Sequence, residues 1–286
     1  MRDFLRQGVA QLSEPRLLAA FLGTVGLLVI LVVLGILLLG GGLSTCAPSE
    51  QPSTEGVYDA YVSPYDFANL QNEEGRLVYY ENGARASKTG IDVSEHQKFI
   101  DWTQVAADKI DFAIIRLGNR GYSEGTIFLD DYYNYNIQAA REAGIPLGVY
   151  FFSQATTEEE AREEAAFVIE HLGGVSLAYP VVFDHEPVAE PTGRANSVST
   201  EDMDKVVKAF CTSIESAGYK TMVYGNKKDI ARFSRDAIAP YDIWFAEYGV
   251  GVPSARFDFT MWQYTNSAQV AGIDEPVDMN IEFIIE

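Results

Sequence analysis

A chain of 286 residues, 47% hydrophobic and 22% charged, has the composition of one globular domain with an appendage. Its formal net charge of −20 sets up a field that repels nucleic acid and anionic lipid headgroups, which excludes DNA or RNA as a partner. Two cysteines, and histidines scattered at His96, His171 and His185, supply neither a disulfide framework nor metal-ligand spacing.

In chain order, residues 1–16 carry Arg2, Arg6 and Arg16, and no charge follows until Glu50. The almost wholly aliphatic run 17–43 exceeds the roughly 20 residues that an α-helix needs to cross a hydrocarbon core, so it predicts a transmembrane signal anchor. No Lys or Arg follows until Arg76, which places residues 1–16 in the cytoplasm and the remainder outside the cell membrane. A cleaved signal peptide fits less well, because its apolar region usually spans about 7–15 residues. Leu43-Ser44-Thr45-Cys46 also bears a faint likeness to a lipobox, with Thr a poor fit before the Cys. Residues 44–58, rich in Ser, Pro, Thr and Glu, read as a stalk. Around Asn82-Gly83, the runs 76–80 and 85–87 predict a β-hairpin, so that 44–87 forms an extracellular stalk and hairpin.

From residue 88 onward, short apolar strands alternate with helices. Strands are predicted at 90–94, 112–118, 146–153, 180–187, 220–226, 242–248, 259–265 and 277–284. Asp101 caps a short helix through Trp102, Val105 and Ala106, and a second helix runs from about Asp130 to Gly144. A third opens on Thr157 and Glu160 in capping-box spacing and stops at Gly173. Met203, Val206, Val207, Phe210, Ile214 and Ala217 give a fourth its apolar face, with Cys211 a small buried thiol. Connections 248–259 and 265–277 are too short for a helical crossover. The expectation is an α/β fold, an irregular TIM-like (β/α)5β3 barrel whose chemistry sits at the C-terminal strand ends.

One such end, Val181-Val182-Phe183-Asp184-His185-Glu186, delivers two carboxylates at i and i+2, on one face of a strand. Paired acids of this kind serve sugar chemistry when their surroundings keep one protonated and the other ionised; solvated acids at the start of a loop are the plainer alternative. His185 should point the opposite way and pack behind the site. Asp242 and Asp274 read as surface residues.

Several of these segments together resemble one family. Gly90-Ile91-Asp92-Val93-Ser94-Glu95-His96-Gln97 followed by Ile100-Asp101-Trp102 is similar to the opening signature of the family-25 glycoside hydrolases, the muramidase lysozymes. The likeness continues through Asp130, Tyr133 and Asn136, through 148–152, the Asp184/Glu186 pair, Tyr224-Gly225-Asn226, Trp262-Gln263-Tyr264 and 277–280. Lys98, where Gly is common, and His185, where a bulky aromatic is common, depart from the pattern.

The resemblance, taken with the apolar run, implies a membrane-anchored bacterial N-acetylmuramidase. It implies hydrolysis of the β-1,4 bond between N-acetylmuramic acid and N-acetylglucosamine in peptidoglycan glycan strands, with no cofactor or metal. Glu186 is then the general acid/base, and Asp184 orients the substrate's 2-acetamido group. Asp92 and Asp278 complete an acidic floor, and retention is assisted by the N-acetyl group. Tyr150, Tyr224, Trp244 and Tyr264 are candidates for stacking on sugar rings, although aromatics in barrel strands serve equally as core. Rival readings are a chitinase-like hydrolase and a non-catalytic wall-binding module on the same fold.

Overall fold

The structure, a computed structural model, describes residues 61–284. The predicted anchor, Cys46 and the stalk lie outside that span. Among the described residues no helix is long and apolar enough to cross a membrane.

A small antiparallel sheet comes first, formed by β1 (Leu70–Glu73), β2 (Arg76–Glu81) and β3 (Ala84–Arg85). Its second turn is the predicted one: Asn82 and Gly83 both take positive φ, 51° and 80°, as a two-residue turn matched to strand twist requires. Glu74 and Gly75 make the first turn in the same way, and this added β1 to a hairpin that the sequence reading left at two strands. Ser87, expected in the hairpin, instead begins the barrel.

Eight strands close that barrel. They are β4 (Ser87–Val93), β5 (Phe112–Arg120), β7 (Leu147–Phe152), β8 (Val181–Asp184), β9 (Thr221–Gly225), β10 (Asp242–Ala246), β11 (Met261–Ala268) and β12 (Val277–Phe283). Neighbours from β4 through β11 pair in parallel, whereas β12 runs antiparallel to both β11 and β4 and seals the ring. A short β6 (Ile127–Leu129) folds back on the far end of β5.

Outside the ring lie α1 (Trp102–Ala107), α2 (Tyr133–Glu142), α3 (Glu158–Leu172) and α4 (Thr200–Ser216), then the single turns α5 (Lys227–Ile230) and α6 (Arg235–Ile238). Asp101, Thr157 and Ser199 accept hydrogen bonds from the first-turn amides of α1, α3 and α4, so the predicted caps on α1 and α3 form as expected. The connections 247–260 and 269–276 hold no helix, in line with their length. The fifth unit is helical only through its two short turns.

Strand alternation sorts the core into two layers. One phase packs under the helices. The other points into the barrel, where Phe112, Ile114, Val182, Met222, Trp244 and Met261 form a separate apolar cluster. Gly90 belongs to this inner phase, and a Cβ there would lie 2.1 Å from the Phe112 ring, so that ring needs glycine beneath it. Continuing each inner row by two residues toward the C-terminal strand ends exchanges apolar side chains for polar ones. Phe112 and Ile114 lead to Arg116, Gly90 to Asp92, Val182 to Asp184 and Met261 to Gln263.

Candidate active site

That polar layer floors a cleft of about 280 Å³, lined among others by Asp92, Tyr150, Asp184, Glu186, Tyr224 and Asp278. Asp184 is the last residue of β8 and Glu186 lies just beyond it, so the two acids share the cleft although the strand ends between them. Asp278 arrives differently. Because β12 is antiparallel, its N-terminal end coincides with the C-terminal ends of the other strands, and Asp278 pairs in register with Asp92. An acid at the beginning of a strand thereby joins acids at the ends of others.

Asp92 is held from two sides. Its Oδ2 accepts from Gln263 Nε2 and from Asn280 Nδ2, both at 2.8 Å. Gln263 Oε1 in turn accepts from the hydroxyls of Tyr224 at 2.7 Å and Tyr248 at 2.6 Å. Asn280 Oδ1 accepts from Trp244 Nε1 at 2.7 Å. Every donor in this array points toward Asp92, which fixes the orientation of both amides. Arg116, which also lines the cleft, is held by Asp130 at 2.7 Å and Glu95 at 2.8 Å.

Asp184 has fewer ties. Its Oδ1 is buried and has no hydrogen-bond partner among the described residues. The main chain around the pair is fixed, because Ser153 N donates to Asp184 O at 2.7 Å and Gln154 Nε2 donates to Glu186 O at 2.7 Å. His185 turns away from the cleft, as strand alternation requires. Arg232 donates to its Nδ1 at 3.2 Å, so its Nε2 carries the hydrogen given to Ala155 O at 2.9 Å. Burial, followed by the nearby Arg232 charge, pushes this imidazole down to about 4, so it is neutral and structural.

Burial also governs the acids. It lifts Asp92 and Asp184 well above the usual carboxylate range, with the charges of Asp278 and Glu186 as the next contributors. Burial and then the negative charge of Asp229 raise Glu186 to about 7, while burial raises Asp278 to about 6. Within each pair, Asp184 with Glu186 and Asp92 with Asp278, the negative charge of one member opposes ionisation of the other. The cleft therefore holds two electrostatically coupled carboxyl pairs, each of which titrates as a unit.

Tyr150, Tyr224 and Trp244 lie in the cleft as expected, and Trp244 meets the Tyr224 ring edge-on at 4.6 Å between centroids. Tyr264 does not. It follows Gln263 and has the opposite phase, so its ring packs on the outer side beside Trp262 and its hydroxyl accepts from Leu77 N at 3.3 Å. The inner residue of that motif is Gln263, which the sequence reading passed over together with Asn280, Arg116 and Tyr248. The signal was available: each of the first three sits two residues from an inner-phase neighbour. A larger hollow, of about 930 Å³, lies between the small sheet and the barrel, but it is lined by Arg76 and Arg85, whose charges are paired with Asp108 and Asp111.

A sequence model of glycosyl hydrolases family 25 matches residues 91–273. The chain belongs to this family. As a family-25 protein it is a glycoside hydrolase, and the small sheet β1–β3 precedes the matched residues. Lysozyme M1 of Streptomyces globisporus is 29% identical over 204 residues, covering 67% of this chain and 66% of that protein. Among solved structures, the modular autolysin LytC of Streptococcus pneumoniae, in complex with a synthetic peptidoglycan ligand, superposes with a TM-score of 0.64 at 26% identity. That match covers 75% of this chain and 52% of LytC, so the hydrolase spans about half of its length. The bacterial lysozyme of Streptomyces coelicolor gives a TM-score of 0.58 at 25% identity, covering 68% of this chain and 91% of the other.

Proposed function

We propose that this family-25 hydrolase is an N-acetylmuramidase that cuts the β-1,4 bond between N-acetylmuramic acid and N-acetylglucosamine in peptidoglycan, with retention and with help from the substrate's own acetamido group. The observation that carries the reading is the Asp184/Glu186 pair. One member is held near neutrality, and the other has a buried carboxylate oxygen without a partner.

An acetamido N–H donated to Asp184 Oδ1 would supply that partner and stabilise the ionised carboxylate, leaving Glu186, raised to about 7, as the protonated member of the pair. Glu186 then gives this proton to the glycosidic oxygen as the bond to the anomeric carbon breaks. The acetamido oxygen attacks the same carbon and closes a five-membered ring, whose positive charge lies next to ionised Asp184. In the second half, Glu186 takes a proton from water, the hydroxide adds to the anomeric carbon, and the acetamide is restored. Asp92 and Asp278 supply the acidic floor, while Tyr150, Tyr224 and Trp244 supply the aromatic wall.

We also assign the chain to the cell membrane, tethered by residues 17–43, with residues 1–16 cytoplasmic and the hydrolase outside. The uncharged length of 17–43 and the arginines before it support this orientation. The activity is tested by incubating the protein with purified peptidoglycan, measuring new reducing ends, and identifying the terminal sugar by mass spectrometry. Muramic acid at the new terminus is expected. A glucosamine terminus, or no new ends, would refute the assignment.

A further inference from the structure

The loop after β4 displays an aromatic pair that the active site does not use. Phe99 is 64% exposed and its ring lies 5.0 Å from that of Tyr135, centroid to centroid, at 30°. Tyr135 itself is 37% exposed and is held by a 2.8 Å hydrogen bond from its hydroxyl to Ile100 O. The exposure does not come from a slack loop. Ser94 and Gln97 close the preceding turn with a capping box, Gln97 Nε2 donates to Pro276 O at 3.1 Å, and Lys98 forms an ion pair with Glu275. Immediately after Phe99, Ile100 is buried and bridged to Ile273.

The backbone is also strained where it presents the ring. Lys98 adopts φ 56° and ψ −132°, a conformation that side chains other than hydrogen disfavour. These ties on both sides hold the exposed phenylalanine in a fixed place. Three residues earlier in the same turn, His96 lines the catalytic cleft. Tyr135 lies in the first turn of α2, on the same side of the barrel as the C-terminal strand ends. The pair therefore lies on the cleft's side of the barrel, three residues along the chain from a cleft-lining side chain.

We infer that Phe99 and Tyr135 form a stacking shelf for a sugar ring of the glycan strand beyond the residues flanking the cleaved bond. This rests on the proposed muramidase activity and extends it to strand length. The C–H face of a pyranose carries a slight positive charge and matches the negative π face of an aromatic ring. A polymer lying in the cleft must leave it over the rim. The formal charge of −20 disfavours anionic headgroups as the occupant, whereas N-acetylglucosamine, every second sugar of the strand, is neutral.

The test uses the full chain in detergent micelles, with peptide-free glycan strands and a short tetrasaccharide as parallel substrates. Phe99→Ala should raise KM for the strands by roughly two- to ten-fold, the range that one aromatic contact provides, with kcat unchanged. Neither constant should move on the tetrasaccharide, and Phe99→Trp should restore the strand KM. An equal loss on both substrates would mark Phe99 as structural only and overturn the shelf. So would an unchanged strand KM, whether or not sedimentation of the same samples shows that the variant has lost self-association and the patch serves a second copy. Wild-type protein that cuts neither substrate would overturn the muramidase reading and this inference with it.

Discussion

Replacing Asp229 with Asn should move the alkaline limb of the pH–rate profile without disturbing the fold. Asp229 Oδ2 accepts a hydrogen bond from Asn226 N at 3.1 Å, closing the first turn of α5, and an amide oxygen can retain that bond. After burial, the Asp229 charge is the next contributor holding Glu186 at about 7 instead of the ordinary 4.5. The whole elevation corresponds to about 3.4 kcal/mol at ~1.36 kcal/mol per unit of pKa. Burial supplies the larger part. Removing the charge should lower the Glu186 pKa by on the order of one unit, about 1.4 kcal/mol.

The limb then moves from about 7 to about 6, and it belongs to the Asp184/Glu186 pair as a unit. At pH 8 the protonated fraction falls from about one in eleven to about one in a hundred, so kcat/KM should be about nine-fold below wild type. Below about pH 5 the two curves should coincide. The assay is reducing-end release from purified peptidoglycan between pH 4.5 and 9, with Glu186→Gln as the control. That control should lose about 10²–10⁴-fold and show no alkaline limb. A limb unmoved in folded Asp229→Asn would refute the electrostatic argument.

Stability should also depend on pH, with a sign set by the buried acids. Glu186 and Asp278 are raised on folding, to about 7 and about 6, so their contribution is complete below about pH 4 and is lost as pH rises through 6 to 7. Glu160, lowered to about 2 through hydrogen bonds from Arg194 and Thr156 that outweigh its burial, acts oppositely and loses its contribution as pH falls below about 4. Thermal melts should accordingly be highest near pH 4 to 5 and fall toward pH 7.5, with Asp278→Asn flattening the decline. Tyr264→Phe should leave KM and kcat within about two-fold of wild type, because the ring lies outside the cleft, whereas Gln263→Ala frees one side of Asp92 and should lower kcat by at least ten-fold. Protease added to intact cells should remove the hydrolase domain, and a fatty-acid probe should leave Cys46 unlabelled. Protection of the domain until the membrane is opened, or a label lost in Cys46→Ala, would contradict the proposed tether.

Much of this architecture could be read directly from residue pattern. Asp101, Thr157 and Gly173 marked helix ends because caps are local chemistry, and the strand positions followed from apolar runs of the right length. The short links around β11 likewise announced strands without covering helices. The errors lie where phase rather than presence was needed. Tyr264 drew attention as an aromatic in a barrel strand, but its neighbour Gln263 has the inward phase set by Met261. Arg116 was passed over as a charge in an apolar strand, although Phe112 and Ile114 give it the same inward phase. Asp278 needed a fact that no local pattern contains, namely that β12 runs against its neighbours. The upward shift of the four acids is further from the sequence still, because it depends on burial, and burial exists only once the ring has closed.

The antiparallel seam between β4 and β12 also bears on the order in which the enzyme becomes active. Asp92 stands on the first strand of the barrel, whereas its three companions, Gln263, Asp278 and Asn280, are supplied by the last two strands of the described chain. Contacts so distant along the chain are the slowest to form. Without β12 the cleft therefore lacks Asp278 and Asn280, and Asp92 loses one of its two donors. Closing the ring and completing the cleft floor thus depend on the same strand, and removing β12 would leave β4 and β11 each with an unpaired edge.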